Sequence, residues 1–208
     1  MKAEDKNILD NLGIDHLNTM LLSPTGSGKT LAFLLPILHL LKEDVKTVQC
    51  LVIAPSRELA IQIEQVWKKM GTNFKVNVCY GGHSIDTELN NLKNPPAILI
   101  GTPGRLTDHL ERQSFDTGSI RILVLDEFDK SLQLGFQEEM NTIVEQLYNL
   151  EKRVLLSATS DVDIPEFIGM NSPVVLDYTQ EEKTESLSMK LVVSPEKDKI
   201  ETLFQLIC

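Results

Sequence analysis

Six short apolar runs, each followed by a stretch of helical period, constrain this chain more than any other feature. They are QCLVIA (49–54), KVNVCY (75–80), AILIG (97–101), RILVLD (121–126), RVLLS (153–157) and PVVLD (173–177). Their Val, Ile and Leu residues follow one another without strict alternation, the pattern of strands covered on both faces. RELAIQIEQVWKKM (57–70) and FQEEMNTIVEQLYNL (136–150) carry the helical repeat between runs. Strand alternating with helix calls for right-handed crossovers, and so for an α/β fold with a mainly parallel sheet and helices on both faces. Ligand chemistry in such folds collects at the carboxyl ends of the strands. The unusual residues fall there, at 23–30, 55–59, 102–105, 126–129 and 157–159.

A chain of 208 residues has room for one large domain or two small ones. The apolar fraction of 42% and charged fraction of 24% are those of a soluble globular protein. No apolar run approaches the roughly 18 residues of a membrane span, so no membrane partner is expected. The polar start MKAEDKNILDNLG lacks the apolar core of a signal peptide. Cys50, Cys79 and Cys208 show no metal-binding spacing, and the first two sit in apolar runs, as buried thiols do. A reducing cytoplasm is the expected location. The net charge of −10 weighs against a nucleic-acid partner unless a basic surface is local. The acidic stretch DYTQEEKTESLS (177–188) reads as an exposed linker, and MKLVVSPEKDKIETLFQLIC (189–208) as one further strand and helix.

The most specific motif is Ser23-Pro24-Thr25-Gly26-Ser27-Gly28-Lys29-Thr30, which departs from the P-loop pattern only in Ser23 for its first Gly. Gly26 and Gly28 let the backbone turn its N–H groups around a phosphate. Lys29 is suited to the β and γ phosphates and the Thr30 hydroxyl to Mg²⁺, while the helix beginning there adds its dipole. A loop that merely caps a helix seldom combines two spaced glycines with Lys-Thr between a strand and a helix. The loop is therefore read as holding a nucleoside triphosphate.

Asp126-Glu127-Phe128-Asp129 follows the run RILVL. An Asp at the end of a buried strand suits Mg²⁺ binding through the metal's water shell. The adjacent Glu127 is placed to position or deprotonate an attacking water. An exposed acidic turn would have the same composition; the P-loop upstream favours the catalytic reading, with Asp126, Glu127 and Lys29 as the catalytic set.

With these come PSRELA (55–60), Gly81-Gly82, TPGR (102–105) and SAT (157–159), in that order. The set resembles the N-terminal RecA-like domain of the DEAD-box ATP-dependent RNA helicases over nearly the whole chain, and RELAIQ, TPGRL and LDEFDKSLQLGF extend the likeness. The resemblance implies a RecA-like P-loop NTPase domain that uses ATP and Mg²⁺. It implies contacts from Pro55, Ser56, Arg57, Gly81, Gly82, Thr102, Pro103, Gly104 and Arg105 to the backbone of single-stranded RNA. Arg57 and Arg105 suit phosphate as planar forks. Taken alone, Arg57 reads equally as a helix-start arginine pairing with Glu58 or Glu88, and Arg105 as a helix-surface charge. Ser157 and Thr159 would bond the DEFD carboxylates and relay nucleotide state, with Asp129 in that network; a strand end capping the next helix is the alternative.

By the same resemblance, residues 1–20 form a partial Gln-motif-like segment, 21–177 the ATP-binding domain, and 178–208 a linker and first elements toward a second RecA-like domain. That domain would complete the RNA and ATP sites and supply arginine fingers. RNA contact through glycine backbone, a few arginines and helix N-termini needs only a local positive surface, which answers the charge objection. The isolated chain is expected to be a monomer of weak activity. The rivals are a DNA-directed helicase of the same superfamily and an ATP-gated RNA clamp with little unwinding.

Two departures stand out. Phe128 occupies the position where the family usually has Ala. LGIDHLNTM (12–20) resembles the start of the family's Gln motif, yet Leu21-Leu22-Ser23 follows where the Gln should stand. Read so, the Gln, a helix and most of the first strand are missing, because a two-residue strand cannot span a sheet of about five- to six-residue strands. A deletion, or a segment left out between Met20 and Leu21, would account for this. The second is preferred, since loss of a central buried strand would remove its backbone hydrogen bonds.

Overall fold

The computed structural model describes residues 18–24, 26–160 and 163–179, with the isolated positions 194, 200 and 204. The elements alternate as expected: β1 (Asn18–Leu22), α1 (Lys29–Leu40), β2 (Cys50–Ile53), α2 (Arg57–Lys69), β3 (Val76–Cys79), α3 (Ile85–Leu92) and β4 (Ile98–Gly101). There follow α4 (Pro103–Glu111), β5 (Ile122–Leu125), α5 (Phe128–Gln133), α6 (Gln137–Glu145), β6 (Lys152–Ser157), a 3₁₀ turn (Glu166–Ile168) and β7 (Val174–Asp177). Among the described residues the sheet has seven strands in the order β3-β4-β2-β5-β6-β1-β7, and every pairing is parallel.

Side chains of successive strand residues point to opposite faces, and both faces are covered. In β2, Cys50 and Val52 join one apolar cluster with Phe33 and Ile37 of α1 and Ile63 and Trp67 of α2. Leu51 and Ile53 join the other, with Leu92 of α3, Leu106 of α4, Phe128 of α5 and Met140 of α6. Cys50 and Cys79 are free, buried thiols, and burial pushes both thiols up from their ordinary value. No helix among the described residues is long and apolar enough to cross a membrane.

The structure corrects four expectations. The strand leading to the P-loop is not cut short. Asn18, Thr19 and Met20 supply its first three residues, and Met20 and Leu21 pair with the consecutive residues Leu155 and Leu156 of β6. The strand is therefore five residues long and spans the Met20–Leu21 join. Nor is the strand central, since β1 lies next to the edge strand β7.

The runs at 75–80 and 173–177, the two edge strands among the described residues, are less fully covered than the inner strands: Asn77 and Val78 are half-buried and Val175 is 52% exposed. The helix expected over 136–150 ends at Glu145. There the Gln146 and Leu147 N–H groups bond back three residues, and the Asn149 side chain ties the following turn to the Gly118 carbonyl at 2.9 Å. Leu147 nevertheless stays in the second cluster. Apart from residues 177–179 and the isolated positions, the expected linker and the strand and helix after it lie outside the described residues, as does Cys208.

Candidate nucleotide-binding and catalytic site

β1 delivers the P-loop to the carboxyl end of the sheet beside β6. The Ser23 N–H donates to the Ser157 carbonyl at 3.1 Å, tying the loop to the end of that strand. Within the loop the Ser23 hydroxyl donates to Ser27 Oγ at 2.5 Å. Gly26 and Gly28 have φ of +83° and +92°, a region costly for residues with a Cβ. No atom lies within 4 Å of where a Cβ would stand at either glycine. Helix α1 begins immediately afterwards with Gly28 at its N-cap, no side-chain cap and no acidic residue in its first turn. Its leading N–H groups and dipole are therefore directed at whatever occupies the loop. Lys29 Nζ donates to the Ser23 carbonyl at 2.8 Å. Pro24, Gly26, Ser27 and Gly28 are exposed and Thr30 half-buried; Thr25 lies outside the described residues.

Two strands away, the Asp126 N–H donates to the Ile53 carbonyl of β2 at 2.9 Å, and its side chain is 3% exposed. Burial pushes this carboxyl up to about 6, opposed by the Glu127 N–H, which donates to Oδ1 at 2.9 Å. The Glu127 charge adds to the rise, while Lys29 and Lys130 counter it. Lys29 follows β1 and Asp126 follows β5, parallel strands of one sheet, so both stand at the same carboxyl end. Glu127 adopts φ 46°, ψ 50°, a left-handed conformation that costs a β-carbon residue on the order of 1–3 kcal/mol and gathers at functional sites. Its carboxylate accepts from Lys130 Nζ at 2.9 Å.

Phe128 is fully buried in the second apolar cluster, so the ring in the usual alanine position is packed beneath the site, turned away from it. Asp129 is also buried. Its Oδ2 accepts from the Thr159 hydroxyl at 3.2 Å, while Oδ1 has no partner among the described residues. Thr159 thus makes the expected bond to a DEFD carboxylate. Ser157 does not: its hydroxyl donates to the Thr159 carbonyl at 2.8 Å and accepts from the Thr159 N–H at 3.1 Å. A serine ending a strand closes its own turn more readily than it reaches a carboxylate on another element.

The remaining motif residues line the same end of the sheet. Ser56 caps α2, accepting from the Leu59 N–H at 3.2 Å, after the buried Pro55. Arg57 is exposed and pairs with Glu58 at 2.6 Å, one of the two partners its position suggested. Gly81 and Gly82 follow β3, both open to solvent, with Gly82 at φ +88°. The Thr102 N–H donates to the Cys79 carbonyl at 3.1 Å, and Pro103 and Gly104 start α4.

Arg105 is placed otherwise than expected. It is neither a free fork nor a surface charge: its Nε donates to the Tyr80 carbonyl at 3.2 Å and Nη2 to the His83 carbonyl at 2.6 Å. Only 13% of its side chain is exposed. Beside it lies Glu88, 1% exposed and in contact with His83, Arg105 and His109. Glu88 entered the sequence reading only as a possible partner of Arg57, and His83 and His109 not at all. The signal available was position, since Glu88 and the buried Leu92 stand four apart on one stripe of α3.

Cavities of about 310 and 290 Å³ lie at the opposite end of the sheet, the first beside Thr47, Lys75 and Ala97 and the second beside Gln49, Arg121 and Lys152. All these residues adjoin or begin the amino ends of strands, away from the P-loop and Asp126.

Known proteins share this arrangement. The chain is 36% identical over 202 residues to the ATP-dependent RNA helicase CshA of Listeria monocytogenes, an alignment covering 94% of this chain and 39% of that protein. It is 40% identical over 168 residues to the ATP-dependent RNA helicase DeaD of Escherichia coli K12, covering 79% of this chain and 26% of that one. It thus spans roughly a quarter to two-fifths of the length of these relatives. The crystal structure of a DEAD box protein from Methanococcus jannaschii superposes with a TM-score of 0.71 at 29% identity, over 83% of this chain and 47% of that one. Residues 6–167 match the family model described as DEAD/DEAH box helicase. With the P-loop, the strand-end Asp126-Glu127 pair and the seven-stranded parallel sheet, that match establishes that this chain belongs to the DEAD/DEAH box helicase family.

Proposed function

We propose that this chain is the N-terminal, nucleotide-binding part of an ATP-dependent RNA helicase, which couples ATP hydrolysis to local unwinding of RNA duplexes. One observation carries the reading. An uncapped helix N-terminus preceded by two left-handed glycines shares the carboxyl end of the sheet with the buried Asp126. An open anion cradle beside a carboxylate with a raised proton affinity suits a metal-bound nucleoside triphosphate.

The residues present fit the groups such a reaction needs. The N–H groups at Gly26, Gly28 and the start of α1 bind phosphate oxygens, and Lys29, released from the Ser23 carbonyl, adds its charge. Thr30 and Asp126 would hold Mg²⁺, which when bound neutralises charge on the phosphates. Glu127 orients the attacking water and takes its proton. Asp129 and Thr159 join the segment after β6 to the catalytic turn. Exposed Arg57, Gly81, Gly82 and Gly104, with half-buried Ser56 and Thr102, offer backbone, hydroxyl and guanidinium groups for single-stranded RNA, and the buried Pro55 and Pro103 hold the turns that present them. A second RecA-like domain, following residues 178–208 in the full-length protein, covers the open side of both sites. The buried free thiols suit a cytoplasmic protein.

The test is ATP turnover with and without single-stranded RNA, in the full-length protein and its Glu127→Gln variant. Turnover should be RNA-stimulated in the wild type. In the variant it should fall by roughly 10²–10⁴-fold, the contribution of a positioned base, with nucleotide binding retained. Near-wild-type turnover in the variant would assign the water to another group. Stimulation by DNA equal to that by RNA would favour the DNA-directed rival. Residues 1–208 alone should bind RNA weakly and hydrolyse ATP poorly, because half of each site is absent.

A further inference from the structure

We infer that Glu88 is a positioning residue for RNA binding: its buried carboxylate joins the Gly81-Gly82 loop to the N-terminal turns of α4 and presents the two as one surface. The inference rests on the proposal that both elements contact RNA.

The two oxygens of Glu88 serve different elements. Oε1 accepts from the Tyr80 N–H at 3.2 Å and meets His83 Nδ1 at 3.2 Å, one residue on either side of the glycine pair. Oε2 meets His109 Nε2 at 2.7 Å and Arg105 Nε at 3.5 Å, both on α4. An ionised carboxylate has about four acceptor sites; the Tyr80, His83 and His109 contacts account for three of them, and Arg105 adds its charge as an ion pair. Arg105 closes the clamp from the other side by donating to the Tyr80 and His83 carbonyls. The loop is therefore held by both its N–H and its C=O groups, while the Tyr80 and His83 rings lie 5.5 Å apart, centroid to centroid.

Among the described residues, neither Gly81 nor Gly82 makes a backbone hydrogen bond of its own, and open space stands over both. Their N–H groups are free to meet a phosphate, but the flanking network alone holds them in place. Glycines in such a loop are conformationally broad, so without that network the order lost would have to be regained on binding.

Burial alone pushes the Glu88 carboxyl up. The bonds from His109 and Tyr80, the charge of Arg105 and the bond from His83 outweigh it and hold the carboxyl below the ordinary value. The group is thus ionised at neutral pH. Cys79, Glu88 and His109 also bring potential metal-ligand atoms within 4.8 Å of one another. Positive charge at this carboxylate is already supplied by the Arg105 guanidinium, which favours the hydrogen-bonded clamp over a cation site.

The experiment compares wild type, Glu88→Gln and Glu88→Ala in the full-length protein. It measures the RNA concentration for half-maximal stimulation, kcat at saturating RNA, the KM for ATP and amide exchange at Tyr80. Glutamine keeps the volume but turns an NH₂ toward donors, so it breaks one side of the clamp. We expect the half-maximal RNA concentration to rise about threefold to tenfold in Glu88→Gln and further in Glu88→Ala, on the scale of one ordinary hydrogen bond. The Tyr80 amide should exchange faster, with kcat and the KM for ATP within about twofold of wild type.

An unchanged RNA requirement in folded Glu88→Gln would overturn the inference. So would a parallel loss in RNA requirement, kcat and KM for ATP, which marks a purely structural role. If Glu88→Ala does not fold, Glu88→Gln alone decides. A wild-type protein that neither binds nor responds to RNA would instead remove the proposed function, and this inference with it.

Discussion

Glu127 and Lys130 are joined at 2.9 Å, Oε2 to Nζ, across one turn at the start of α5. The carboxylate assigned to the attacking water is thus held by an ammonium from its own helix. The lysine is 49% exposed and the glutamate 18%, so solvent screening limits the pair to at most about 1 kcal/mol. Lys130→Ala should raise RNA-free ATP turnover, by no more than about fivefold. A fall in turnover would show that the ammonium assists the carboxylate.

The Lys29 ammonium lies across the P-loop on the Ser23 carbonyl at 2.8 Å, a contact that a phosphate would replace. Lys29→Ala in the full-length enzyme should abolish ATP-dependent unwinding and lower ATP turnover by about 10²–10³-fold, as for loss of one preorganised charge-stabilising donor. Because the side chain is only half-buried, thermal stability should change little. Unchanged ATPase activity would remove Lys29 from the site.

Asp126 makes stability depend on pH in a definite direction. Burial raises its carboxyl from the ordinary 3.8 to about 6, so between these values the folded chain binds the proton more tightly than the unfolded one. The stability linked to this group is present below pH 3.8 and is lost as pH rises through about 6. Asp126→Asn removes that loss. In magnesium-free buffer the variant should gain about 3 kcal/mol over wild type near pH 8 and about half as much near pH 5, read by urea denaturation. An equal gain at both values would show an unshifted carboxyl.

Phe128 fills space beneath the site and is fully buried. Phe128→Ala, which restores the family's usual residue, should leave a cavity and cost about 3–5 kcal/mol. For a chain of this size that lowers Tm by roughly 10 °C, visible in a thermal melt. A shift under about 2 °C would mean that the surrounding cluster collapses to fill the gap.

Much of the fold was legible because strands buried on both faces must be apolar throughout. The runs at 49–54, 97–101, 121–126 and 153–157 became β2, β4, β5 and β6. β1 was misread because Asn18 and Thr19 are polar and the segment invited comparison with a motif. Thr19 is nevertheless fully buried, and the sheet accepts it because its backbone pairs with β6 and β7. In the site, the P-loop and Asp126-Glu127 could be read since their chemistry needs fixed residue types at fixed spacing. Arg105 could not. An arginine at a helix start looks the same whether it faces solvent or the preceding loop, and only the approach of Tyr80 and His83 decided that.

The sequence by itself determined an alternating α/β chain, an anion-binding loop before a helix and a carboxylate pair at a strand end. Each of these depends on neighbours in the chain, through side-chain periodicity, glycine conformation and helix capping. Tertiary structure decided what depends on packing between distant segments. It put β1 beside the edge of the sheet, buried Asp126 enough to raise its carboxyl, and gave Glu88 four contacts from the loop after β3 and from α4. A buried charge takes its properties from whatever groups surround it, and those groups are assembled only when the chain folds.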